Sequence, residues 1–155
     1  MSTVNSKATA LRRAGAFFVA VVVAVALGAM IQTQYNLAAL AALGVDIPLA
    51  IRLRTTGQDL LGFSPVYAVL VVWALLCSLP VAALCARRLS QRAQPLVYGL
   101  AALVGLVVAV LVVNQLVPMP TLIAATRAWH GLLLLALAAG VGGVVFARLV
   151  RASAP

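Results

Sequence analysis

Glutamate is absent from this 155-residue chain, and its acidic residues are Asp46 and Asp59 alone. It has a single histidine, His130, and two cysteines, Cys77 and Cys85. That inventory leaves little for a zinc site, which needs three or four nitrogen, sulfur or carboxylate ligands. There is no GxSxG nucleophile elbow, no P-loop and no CxxC pair. Ser64 and Ser78 have no base near them in sequence. No span has a buried acid or base, so a proton- or ion-coupled transporter would lack its usual relay. No catalytic residue and no metal site is therefore assigned. Asp46 or Asp59 with His130 could act as acid and base on a lipid-linked substrate, but nothing in their spacing requires it.

Charge of any kind is scarce. Charged residues make up 8% of the chain and hydrophobic ones 65%, against about 25% and about 45–50% in soluble domains. Dissolved in water, such a chain would expose more apolar surface than monomers tolerate. A net charge of +9 is of the size found in nucleic-acid-binding proteins. However, the basic residues flank apolar runs and form no stripe interleaved with aromatics, so no nucleic-acid partner is expected. Cys77 and Cys85 are eight residues apart in one apolar run, about 12 Å along a helix. That is too far for a disulfide between them.

What is present is apolar length. A membrane-spanning helix needs about 20 predominantly apolar residues, and four segments qualify: 14–31, 66–86, 96–117 and 128–147. The expected fold is all-α, a single membrane domain over 1–155 with four transmembrane helices in an antiparallel bundle. The first segment reads as a retained anchor and not as a cleaved signal. Its apolar core is long for a signal peptide, and ALGAMIQ is a mediocre cleavage site. Lys7, Arg12, Arg13, Arg87, Arg88, Arg92, Arg148 and Arg151 fall on one side of the spans, leaving Arg52, Arg54 and Arg127 on the other. Positive loops stay cytoplasmic, which predicts a multi-pass inner-membrane protein with both termini in the cytoplasm.

Local chemistry marks the span edges. Ser64-Pro65 reads as an N-cap and N1 proline for the second span, and Pro120-Thr121 as the start of the last helix. Pro80 predicts a kink in the second span. Trp73 lies too deep for an interfacial belt, whereas Tyr35, Tyr67 and Trp129 fall near one boundary. Pairs of small residues four apart, Ala136/Gly140 and Ala139/Gly143, permit close helix approach. They favour a contact within the molecule over a dimer seam.

The non-cytoplasmic, periplasmic face carries the polar residues. Segment 32–64 is too long for a structureless connection. It reads as a lid of two short interfacial helices joined at a break between Gly44 and Pro48, its leucines facing down and its charges meeting water or each other. A full dip across the membrane is excluded, because Asp46, Arg52, Arg54 and Asp59 would each cost about 2.5–3.5 kcal/mol at mid-bilayer. In the second loop, Thr126, Arg127 and His130 share a face if that stretch is helical.

The candidate ligand or headgroup site is Arg52, Arg54, Asp59, Asn114, Gln115, Arg127 and His130. Arginine's planar fork suits phosphate. No cofactor is required, although a bound lipid or quinone fits such a pocket. The functional expectation is a non-enzymatic accessory or assembly subunit of a larger membrane complex. The alternative is a lipid- or quinone-binding protein with its pocket under the lid. Expected partners are membrane lipids, other membrane-protein subunits or further copies of the chain.

Overall fold

A computed structural model describes residues 2–116 and 123–152. Among these residues the chain is entirely helical, and four helices are long and apolar enough to cross a membrane. The elements are α1 (Ser2–Ala42), α2 (Leu49–Gly62), α3 (Ser64–Ala86), α4 (Gln94–Leu116), a short 3₁₀ turn (Ala124–Arg127) and α5 (Trp129–Ala152). Pro120, Thr121 and the last residue of the expected third span, Val117, lie outside the described residues. The regular last helix begins at Trp129.

The four long helices form a ring in which each touches two neighbours. Helix α5 lies between α1 and α4, and α3 closes the ring between α4 and α1. Contact positions run in opposite directions along α1 and α5 and along α4 and α5. Ala20 of α1 meets Gly142 of α5 while Tyr35 meets His130, and Tyr98 of α4 meets Gly143 while Leu103 meets Gly140. Val71, Leu75, Leu106 and Leu135 fill the centre and are fully or almost fully buried.

Small residues set these distances, as lipid is no less apolar than leucine and helices must gain by close packing. A Cβ on Gly142 would lie 2.8 Å from the Ala20 carbonyl, and one on Gly143 would lie 2.8 Å from the Ala102 Cβ. The ALAAGVGG stretch of α5 is thus consumed inside the molecule, against α1 on one side and α4 on the other. Gly28 of α1 makes room for the Tyr67 ring, whose hydroxyl would stand 2.7 Å from an added Cβ. Tyr67 is therefore a core residue, 1% exposed and stacked on Phe63. It is not part of an outward-facing belt.

Two local expectations change. First, residues 32–42 do not form a separate helix, because α1 continues unbroken to Ala42. Its 41 residues measure about 60 Å, well beyond a hydrocarbon core of about 30 Å. Nothing in QTQYNLAALAA breaks a helix, and the stop comes at Gly44, whose φ of 86° suits glycine. Second, Ser64 does not cap α3. Phe63 stays in the right-handed helical region and donates its N–H to the Asp59 carbonyl, so α2 runs almost directly into α3. The break comes from Pro65, which has no N–H for the Leu61 carbonyl and whose ring crowds it. Pro80 lies inside α3, which continues beyond it to Ala86.

Candidate functional site

Four consecutive residues near the end of the α1 apolar run, Gln32-Thr33-Gln34-Tyr35, each hold a different part of the chain. At 100° per residue they point around most of the helix circumference. Gln32, 5% exposed, accepts a hydrogen bond from the Ala125 N–H at 3.2 Å through its side-chain oxygen. Thr33, fully buried, places its hydroxyl 2.9 Å from the Ala29 carbonyl and 2.8 Å from Asp59 Oδ2. One hydroxyl proton thus serves two acceptors. Gln34 donates to Thr56 Oγ1 at 3.0 Å and accepts from Arg52 at 3.4 Å. Thr56 in turn donates to the Arg52 carbonyl at 2.8 Å, which closes a small ring of bonds. The Tyr35 hydroxyl lies 2.7 Å from His130 Nε2.

These bonds fix how α2 lies. Arg52, Thr56 and Asp59 span eight residues of α2 yet reach only Gln34 and Thr33 on α1, so α2 crosses α1 and does not run alongside it. Its half-buried positions are Arg52, Thr55, Thr56 and Asp59, spaced as one helical face. The leucines point the other way: Leu49, Leu53 and Leu61 are 70%, 66% and 82% exposed. The expected lid is inverted, polar side in and leucine side out. The reason is energetic. Buried polar groups of α1 need partners, the stripe of α2 supplies them, and outward leucines cost little where the surroundings are apolar.

The candidate residues do not converge on one point. Arg52 and Asp59 do not pair with each other. The Arg52 guanidinium faces Gln34 and the Ile47 carbonyl, and Asp59 faces Thr33. Arg54 is exposed on the outer side of α2. Asn114 borders a small void with Ile123 and Thr126, and Gln115 is exposed at the end of α4. Arg127 and His130 are exposed, but they do not share a helical face. The 3₁₀ turn ends at Arg127 and Ala128 is extended before α5 begins. Thr126 instead donates to the Ile123 carbonyl at 2.8 Å.

Thr33, Tyr35 and Thr56 carry as much of this arrangement as the charged residues do, and charge and spacing did not single them out. The available signal was the polar run QTQY at the end of a long apolar segment. Asp46 is exposed.

A second feature lies away from these residues. A groove of about 940 Å³ runs along the outer side of α3 and α4, lined almost wholly by apolar side chains from Pro65 and Val113 at one end to Val81 and Ala101 at the other. Ser78, whose buried hydroxyl has no hydrogen-bond partner among the described residues, and Gly105 form part of its floor. Comparison with protein-family models, curated proteins and solved structures finds no match to this chain.

Proposed function

We propose that this small multi-pass membrane protein is a non-enzymatic accessory or assembly subunit of a larger complex. In this reading it is an antiparallel four-helix bundle in a cell (inner) membrane, both termini are cytoplasmic, and α2 is an interfacial helix on the opposite, periplasmic side. The observation that carries the reading is the inverted α2. Two of the candidate ligand residues, Arg52 and Asp59, turn their polar atoms to α1, and a row of leucines is turned outward at the level of Tyr35 and His130. An outward apolar face beside the bundle is suited to a neighbouring subunit. Basic residues concentrated at the other end support the orientation.

The test is to extract the tagged protein from native membranes in mild detergent and weigh the assembly by native mass spectrometry. An assembly containing a defined second subunit, lost on Leu53→Asn with Leu61→Asn, is the expected result. A partner-free 16.0 kDa monomer overturns the reading.

The alternative, lipid or quinone binding in a pocket under the 32–64 lid, draws on one observation, the apolar groove between α3 and α4, whose Pro65 end adjoins α2. Arg52 and Asp59 support it less, since their polar atoms face α1.

A further inference from the structure

Arg87, Arg88 and Arg92 lie in the turn that joins α3 to α4, and all three are exposed. Among the described residues no hydrogen bond or ion pair engages them. The turn is held from the side by Arg151 of α5, which donates to the Gln91 carbonyl and to Gln91 Oε1, both at 3.1 Å. Both aspartates of the chain, Asp46 and Asp59, adjoin the opposite end of the bundle. Among the described residues the arginine turn therefore has no acidic partner. The α4 N-terminus, beginning at Gln94, adds partial positive charge at the same place.

The apolar groove opens directly beneath this turn, because the helices that wall it are the two the turn connects. Its near end is at Val81 and Ala101, six residues from Arg87 and seven from Gln94, or about 9–10 Å by helical rise. That is close to the depth of a headgroup and glycerol layer, about 5–8 Å per side. The groove then continues along α3 to Pro65, about 24 Å further. At that length the groove exceeds the depth of one leaflet's hydrocarbon, about 15 Å, and the stretch nearest the turn is long enough for an acyl chain of one leaflet.

We propose that the arginine turn and the α3–α4 groove form one binding site for an anionic phospholipid of the adjoining leaflet. Arg87, Arg88 and Arg92 hold the phosphate, and an acyl chain lies in the groove. Guanidinium groups donate paired hydrogen bonds to phosphate oxygens, and clustered basic residues at a helix end draw acidic lipid. The β-branched walls, Val81, Val104 and Val108 among them, keep the channel open for a flexible chain. This site is distinct from the polar residues around Tyr35, and it rests neither on the accessory-subunit reading nor on which leaflet is cytoplasmic.

The test titrates the full-length protein in detergent with phosphatidylglycerol or phosphatidylcholine of identical chains, counting bound lipid by native mass spectrometry. Phosphatidylglycerol is expected to bind at least about five-fold tighter, roughly what one well-placed arginine supplies. Arg87→Gln with Arg88→Gln and Arg92→Gln should erase that preference with circular dichroism unchanged. Arg12→Gln with Arg13→Gln, at the same end of the bundle but away from the groove, should leave it intact. Ala101→Phe, which fills the mouth of the groove, should weaken the binding of both lipids. Equal affinity for the two lipids overturns the site, as does a preference that survives the triple substitution. Loss of the preference in the Arg12/Arg13 variant would assign it to diffuse surface charge, and full affinity in Ala101→Phe would take the chain out of the groove.

Discussion

The Thr33 hydroxyl and the Asp59 carboxylate, 26 residues apart in sequence, stand 2.8 Å from each other. Thr33 is fully buried in α1 and Asp59 is half-buried in α2. This bond, with the Gln34–Thr56 bond beside it, decides which side of α2 faces the bundle.

Removing the donor leaves a half-buried acceptor unmatched. Thr33→Val should destabilise the protein by about 1–3 kcal/mol, read as a lowered melting temperature in detergent. Asp59→Asn alone should cost less, because its side-chain oxygen can still accept. In a double-mutant cycle of Thr33→Val with Asp59→Leu, the two effects should fall short of additivity by about 0.5–3 kcal/mol. Additive losses would mean that the two side chains do not interact.

Tyr35 and His130 join α1 to the start of α5 through a 2.7 Å bond, with ring centroids 5.4 Å apart. Tyr35→Phe removes the hydroxyl and keeps the ring. The expected loss is about 0.5–1.5 kcal/mol, and it should vanish in a His130→Ala background. Thermal unfolding of the four proteins of that cycle checks it.

Gly28 and Tyr67 are a matched pair, since the phenol occupies the space a Cβ would need. Gly28→Ala should cost about 1–3 kcal/mol by overpacking. Tyr67→Leu in the same chain should recover most of it, because the ring that clashes is gone. Melting temperatures that fall equally in the presence and absence of Tyr67 would refute the pairing.

The orientation has its own test. In a protein with Cys77→Ala and Cys85→Ala, a cysteine placed at Gly57 in α2 should react with an impermeant maleimide on intact cells. One placed at Ser90 in the α3–α4 turn should react only after the membrane is opened. The reverse pattern would invert the topology.

Much of the architecture was legible from residue types. Length and apolarity located four helices, because a chain with 8% charged residues has few places where a span can end. Gly44 and Pro48 bracketed the one break in the long connection. The direction of α2 was not legible, since its leucine face and its arginine–aspartate face are both consistent with an interfacial helix. The choice depends on what α1 offers at Gln32–Tyr35, through bonds between residues 18–26 apart in sequence. His130 shows the same limit. Its expected partners were its sequence neighbours Thr126 and Arg127, but an extended Ala128 breaks that helical register and Tyr35 meets the ring instead. The groove between α3 and α4 was hidden because its wall residues, such as Val81 and Val104, look like any lipid-facing valines.

The inverted α2 is the central claim, and thiol cross-linking across it is the most direct measurement. In a background lacking Cys77 and Cys85, Thr33→Cys is combined either with Asp59→Cys or with Leu60→Cys, and native membranes are treated with a short bis-thiol reagent. Cross-linking between positions 33 and 59, with little between 33 and 60, is the expected result. Efficient cross-linking of 33 to 60 in place of 59 would turn the leucines inward and contradict the account.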